Sequence, residues 1–243
     1  MKPVDTVLFD FGGTLDLPGS HWLDRFLYHY QASGLDLTRQ DFDPAFTHAS
    51  AAAYRRGKLL HSTGLADLVD FLVVTQLRFL ISGGPPSFKA TLNHPVGEAA
   101  FGALQAQICS GFLEQSRRGL KRTGEILRPL ARRFKLGIVS NFYGNLETVL
   151  KEADMSSIFT AVADSARVGV AKPDRRIFEF ALRWLDSDPA RSLMIGDSLA
   201  KDCAPAKSLG MQTVWLNPGS ASTRSDEVDF TISDLSQLAE ILP

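Results

Sequence analysis

Residues 4–9, Val-Asp-Thr-Val-Leu-Phe, form a short apolar run that ends in Asp10 and a glycine-rich turn, and no strand-like partner follows until after Thr123. A lone strand buries no core, so its partners must come from the far end of the chain. That requirement constrains the fold more than any other feature. Beyond Thr123 the pattern alternates. Strands are predicted at 136–140, 161–163, 192–195 and 212–216, with a weaker one at 230–232. Helices are predicted near 146–153, 175–185 and 204–209. Strands alternating with helices predict a parallel sheet covered on both faces.

The stretch between has helical patterns and no convincing strand. Ser20 can cap a helix with Trp22, Leu23, Phe26, Leu27 and Tyr30 on one face. Asp43 followed by Pro44 reads as an N-cap and a first helical position, with the helix running to about Gly57. Further helices are expected over 64–81, ending at a Gly-Gly-Pro-Pro run, and over about 95–116. The expected architecture is therefore α/β: a doubly wound core of residues 1–16 and 122–243, with an all-helical cap, residues 17–121, inserted after the first strand. Residues 218–225 are polar and read as a loop.

The 243 residues are 44% hydrophobic and carry a net charge of −1, which gives no field favouring nucleic acid or a membrane surface. There is no basic-then-apolar leader and no apolar run near the length needed to span a bilayer, so a cytoplasmic location is expected. The two cysteines, Cys109 and Cys203, lack metal-ligand spacing and read as buried free thiols. Oligomeric state is open.

Four separated segments should converge at the carboxyl ends of the strands. They are Asp10-Phe11-Gly12-Gly13-Thr14, then Val139-Ser140-Asn141, then Gly169-Val170-Ala171-Lys172-Pro173-Asp174, and Gly196-Asp197 with Asp202. In order and spacing these resemble the four motifs of the haloacid dehalogenase (HAD) superfamily, whose first motif is aspartate-x-aspartate-x-threonine. The run from Asp164-Ser165 through Gly169 to Lys172-Pro173-Asp174 makes coincidence a poor explanation.

The resemblance implies a Mg²⁺-dependent hydrolase, phosphatase in type, that works through an aspartyl-phosphate on a small organic phosphate. Asp10 is then the nucleophile. Lys172 neutralises Asp10 and the phosphoryl oxygens, and Asp202 orients a metal-bound water or Lys172. Ser140 and backbone N–H groups around Phe11, Gly12 and Asn141 hold the phosphoryl group. The metal ligands are Asp10, Asp197 and the carbonyl of Gly12. Blander readings compete for some of these: Ser140 as a helix cap, Thr14 as a turn hydroxyl, Lys172 as a solvated surface lysine, Asp202 as an N-cap for the helix at Ala204.

The departure from the pattern is Gly12, which stands where the family keeps its general acid/base. Three readings follow. A phosphatase can act on a substrate with a good leaving group, such as an acyl phosphate, or borrow an acid from Asp16, His21 or His61. The chain can instead split a carbon–phosphorus bond, since phosphonoacetaldehyde hydrolases also lack that acid and Lys58-Leu59-Leu60-His61 is similar to their cap lysine-x-x-histidine. Or it can be a non-catalytic protein that binds phosphate and Mg²⁺. Dehalogenation fits poorly, because the usual dehalogenase fourth motif does not look like Gly196-Asp197. No nucleic-acid or membrane partner is expected.

Overall fold

The computed structural model describes residues 3–57, 61–85, 88, 97–219 and 226–242. Six parallel strands form one sheet: β1 (Thr6–Phe9), β2 (Lys135–Ser140), β3 (Ala161–Asp164), β4 (Ser192–Gly196), β5 (Gln212–Leu216) and β6 (Phe230–Ile232). Their order is β3-β2-β1-β4-β5-β6. The first strand lies at the centre, with Phe9 level with Ile138 of β2 on one side and Ile195 of β4 on the other.

Side chains alternate across this sheet, as strand geometry requires. Val7, Phe9, Leu193 and Ile195 enter one apolar cluster; Leu8 and Met194 enter the other. The second cluster is closed by Ile177, Phe178, Ala181 and Leu182 of α6 (Arg176–Trp184) and by Ala206 of α7 (Ala204–Ser208). On the opposite face α5 (Leu146–Glu152) contributes Leu146, Val149 and Leu150. Helices thus cover both faces and the winding is double.

Between β1 and β2 the described residues form helices and loops only: α1 (Trp22–Ala32), α2 (Arg39–Arg55), α3 (Leu65–Gly83) and α4 (Glu98–Leu130). This is the all-helical insertion expected after the first strand. Two of its boundaries differ from expectation. Helix α2 starts before Asp43-Pro44, because Thr38 and Asp41 form a reciprocal capping box that already satisfies the amino-terminal N–H groups, and Pro44 lies inside the helix. Helix α1 is capped by the ring of His21, one residue after Ser20.

Helix α4 runs on to Leu130, through the expected boundary at residue 121. Its buried Gly119 is not a stop signal. A Cβ there would lie 1.8 Å from the Asp16 carbonyl oxygen, so glycine lets the helix pass against that backbone. Through α4 one continuous core links the sheet to the insertion, from Leu127 and Leu130 beneath the strands to Ile108 and Phe112 beside α1 and α3. Burying each such side chain contributes roughly 1.5–3 kcal/mol. The expected start of this helix near residue 95, Lys58, and part of the 218–225 loop lie outside the described residues.

Candidate active site

The carboxyl ends of β1, β2 and β4 bring the predicted segments together. Asp10 follows β1 directly and is buried. Its Oδ1 accepts from Ser140 Oγ, the last residue of β2, at 2.9 Å and from Lys172 Nζ at 2.6 Å. The same ammonium donates to Asp202 Oδ1 at 2.6 Å. Lys172 is 6% exposed and is not a surface lysine, and the helix that starts at Ala204 has no side-chain cap, so Asp202 does not serve as one. Asn141 fixes the Lys172 backbone from both sides: Nδ2 donates to the Lys172 carbonyl at 2.9 Å, and Oδ1 accepts from the Lys172 N–H at 2.7 Å.

Asp164 and Ser165 support this arrangement from behind. Asp164, at the end of β3, accepts backbone N–H groups of Gly144 and Leu146 on one oxygen and Ala166 on the other. Burial raises its pKa even against those three donors. Ser165 Oγ accepts from the Phe142 N–H at 3.1 Å. The loop that carries Asn141 is therefore pinned to β3.

Two glycines make room for two carboxylates. Gly13 has a φ of +86°, and a Cβ there would lie 2.4 Å from Asp197 Oδ2. A Cβ at Gly196 would lie 2.3 Å from Asp202 Oδ2. Asp202 is carried on a single π-helical turn, Leu199–Cys203, and its Oδ2 accepts from the Ser198 N–H at 3.0 Å.

Ligand oxygens of Asp10, Asp197 and Asp202 lie within 4.8 Å of one another. Three carboxylates face one buried ammonium, and the electrostatics record the imbalance. Burial, then the charges of Asp10 and Asp202, push the Asp197 carboxyl up to about 8. Burial raises Asp202 to about 6, although Lys172 opposes it. Burial alone would lower Lys172, but Asp10 and Asp202 outweigh it and hold the ammonium above its ordinary value. A hard divalent cation held by carboxylate oxygens would relieve this crowding, so the donor set fits such an ion.

Gly12 is not in a left-handed conformation. A Cβ on it would lie 3.4 Å from Trp22 Nε1 and 3.5 Å from Trp22 Cδ1. The ring beside Gly12 is held in place: Trp22 Nε1 donates to Asp16 Oδ2 at 2.7 Å. Asp16 is fully buried and also accepts from the N–H groups of Gly13 and Leu17 and from the Arg25 guanidinium. Arg25 in turn reaches Ser116 Oγ of α4 at 2.5 Å and lies over the Phe112 ring. Asp16 is thus fully engaged and is not an acid available for loan.

A cavity of about 600 Å³ opens above Asp10. Its floor is Asp10, Gly12, Ser140, Asn141, Lys172, Asp197 and Asp202; its walls are His21 and Trp22 of the α1 start, Phe46, Ser50 and Tyr54 of α2, Phe142, Tyr143 and Lys201. A second cavity, of about 650 Å³, lies between α3, α4 and α5 and contains none of the predicted site residues.

Residues 4–210 match the haloacid dehalogenase-like hydrolases as a family. The chain belongs to that family. It is a hydrolase, and its relatives include phosphatases. It is 32% identical over 167 residues to the pyrimidine 5'-nucleotidase YjjG of Escherichia coli, a match covering 64% of this chain and 68% of that protein. It is 33% identical over 117 residues to the glyceraldehyde 3-phosphate phosphatase of Methanothermobacter thermautotrophicus, covering 45% and 51%. The chain thus spans about two thirds of the first relative's length and about half of the second's. Among solved structures, the magnesium-bound HAD-hydrolase YfnB of Bacillus subtilis shares the fold at a TM-score of 0.57 and 20% identity, covering 99% of each chain.

Within this HAD-like hydrolase, the predicted site residues with side chains on the cavity are Asp10, Ser140, Asn141, Lys172, Asp197 and Asp202, and Gly12 lines it by its backbone. Phe11 does not line it. Its ring is fully buried and meets Phe142 edge-on at 5.1 Å, so only its main chain is near the turn. Thr14 is buried, and its Oγ1 has no hydrogen-bond partner among the described residues. Of the candidate acids, His21 lines the cavity; His61 is exposed and meets α5 through its carbonyl, which accepts from Thr148 Oγ1 at 2.7 Å. The aromatic wall was missed in the sequence. Its signal was faint: rings of α1, α2 and the β2 loop each read locally as ordinary packing positions.

Proposed function

We propose that this protein is a Mg²⁺-dependent phosphohydrolase acting on a small organic phosphate through an aspartyl-phosphate on Asp10. The observation that carries the reading is the Asp10 carboxylate itself. Ser140 and Lys172 both take Oδ1, so the group is buried, oriented and paired with a cation. A buried carboxylate so held is a pre-positioned nucleophile. Lys172, shared with Asp202, stays charged and sits where phosphoryl oxygens would gather. Ser140 and main-chain N–H groups at Phe11, Gly12 and Asn141 complete the cradle. Asp10, Asp197 and the Gly12 carbonyl would hold Mg²⁺, with Asp202 beside them. When bound, Mg²⁺ supplies positive charge that lets a carboxylate approach a phosphoryl group.

The named activities of YjjG and of the glyceraldehyde 3-phosphate phosphatase support a small phosphorylated substrate. The reading divides the chain into a core, residues 1–16 and 122–243, and a cap, residues 17–121, whose α1 and α2 select the substrate. The carbon–phosphorus reading gains no support from His61, which lies off the cavity, while Lys58 is outside the described residues. Hydrolysis of a panel of phosphate monoesters, acyl phosphates and phosphonates, with and without Mg²⁺, tests the proposal. Wild type should release phosphate in a Mg²⁺-dependent way and Asp10→Asn should not. Equal release by the two proteins would reject it.

A further inference from the structure

Glycine at position 12 removes a Cβ as well as an acid. Gly12 and Gly13 stand side by side, so the peptide between them has a side chain on neither flank. Such a peptide can turn at little steric cost. It carries the Gly12 carbonyl, which the phosphohydrolase reading above assigns to Mg²⁺. A metal ligand on so loose a hinge needs something to hold it.

The hydrogen bonds of the turn supply that hold. The Phe11 carbonyl collects the N–H groups of Thr14, Leu15 and Asp16 at 3.2, 2.8 and 3.3 Å, and the Gly13 carbonyl accepts from the Gly19 N–H at 2.7 Å. Among the described residues no N–H group of the turn goes to the Gly12 carbonyl. The N–H of that same peptide belongs to Gly13, and it donates to Asp16 Oδ1 at 2.8 Å. A trans peptide is planar, and its N–H and C=O point in opposite directions. With the N–H fixed on fully buried Asp16, the Gly12 carbonyl faces away from that carboxylate, and Gly12 lines the cavity.

Asp16 is itself held on both oxygens. Oδ1 also accepts from the Leu17 N–H at 2.9 Å, and Oδ2 accepts from Trp22 Nε1 at 2.7 Å and from Arg25. Arg25 reaches Ser116 Oγ at 2.5 Å and the Phe112 carbonyl at 3.3 Å, both on α4. One carboxylate thus joins the turn after Asp10 to α1 and α4. Gly13, fixed by the same bond, is also the residue packed against Asp197, since a Cβ on it would lie 2.4 Å from Asp197 Oδ2. We propose that Asp16 is a positioning residue of the metal site: through the Gly13 N–H it sets the plane of the Gly12–Gly13 peptide and so aims the Gly12 carbonyl. The proposal rests on the assignment of Mg²⁺ to Asp10, Asp197 and Gly12 under the phosphohydrolase reading. Partners that orient a ligand in this way typically govern metal affinity by about 10- to 100-fold.

The test compares two double variants, Asp16→Asn/Arg25→Leu and Asp16→Ala/Arg25→Leu, with wild type. Neither keeps a buried charge, but only Asn keeps an oxygen that can take the Gly13 N–H. Mg²⁺ affinity is read by calorimetry, and protection of the Gly13 amide by hydrogen exchange followed by NMR. The Asn variant should bind Mg²⁺ nearly as wild type does and keep the Gly13 amide protected. The Ala variant should bind about 10-fold more weakly or worse and lose that protection. Equal affinity in the two variants, whether high or low, overturns the proposal, because the Gly13 acceptor would then not matter. Wild type that binds Mg²⁺ with an unprotected Gly13 amide overturns it alone, whether or not either variant folds. Wild type that binds no Mg²⁺ overturns the metal assignment and this proposal together.

Discussion

A side chain on Gly12 would touch Trp22: its Cβ would lie 3.4 Å from the indole nitrogen, at ordinary contact distance, on a backbone that is not left-handed. Gly12→Asp is therefore sterically admissible, and the variant should fold. Its carboxylate would stand beside the leaving oxygen with Asp10, Lys172 and Ser140 untouched. Activity on alkyl phosphates should rise, by up to roughly 10²-fold, with little change on the most acidic phenols. Parallel rates on an alkyl and an aryl ester measure this. A matched loss on both would show that the indole, not the missing acid, controls the position.

The Asp16–Arg25 pair is almost wholly buried and sets the Trp22 ring. Arg25→Leu strands a buried carboxylate and should cost about 3–5 kcal/mol in urea unfolding. The double variant Asp16→Asn/Arg25→Leu should recover part of that loss, since no uncompensated charge remains. Additive losses in the double-mutant cycle would mean the two side chains do not act as a pair.

Asp197 ties stability to pH and to metal. Its folded pKa, near 8, lies above its unfolded value of about 3.8. A group raised in this sense favours the folded state when protonated. Its contribution is full below pH 4 and is lost as pH climbs through 8. In the presence of a chelator, the Asp197 contribution should make Tm fall over that window, and Mg²⁺ should restore Tm most at the alkaline end. Asp197→Asn should flatten the pH dependence, raise the chelated Tm at pH 8 and abolish the Mg²⁺ increment. An unchanged Mg²⁺ increment in this variant would remove Asp197 from the metal site.

Both cysteines are free and buried, and burial pushes each thiol up to about 12. Neither should react with a thiol reagent in the native protein at pH 8, and both should react in denaturant. Two rapidly titrating thiols under native conditions would contradict the packing around Cys109 and Cys203.

Strands and site floor were legible in the sequence because each is local. An apolar run that ends in Asp, Ser or Gly marks a strand and its carboxyl edge together, and the predicted span of β5, residues 212–216, matches Gln212–Leu216. The errors arose where one local signal imitated another. Asp43-Pro44 imitates a helix start, yet Thr38 and Asp41 had already begun α2. The helix expected to stop near residue 116 runs on to Leu130, and Gly119 within it serves the close approach of Asp16. Asp16 itself looks like a spare acid until its four donors are seen. The aromatic wall could not be read at all, because nothing local says that Trp22, Phe46 and Tyr143 line one cavity.

The central position of β1 has a consequence during synthesis. Its neighbours are made late: β2 begins at Lys135 and β4 at Ser192. At ribosomal speeds of about 5–20 residues per second, roughly ten to forty seconds separate the emergence of β1 from that of β4. Until β2 emerges the nascent chain exposes an apolar strand with two open edges, and until β4 emerges one edge stays open, while the helices of the insertion can already collapse on one another. The centre of the sheet thus stays open until β4 is made, and a nascent chain halted before Ser192 presents β1 to chaperones and to aggregation.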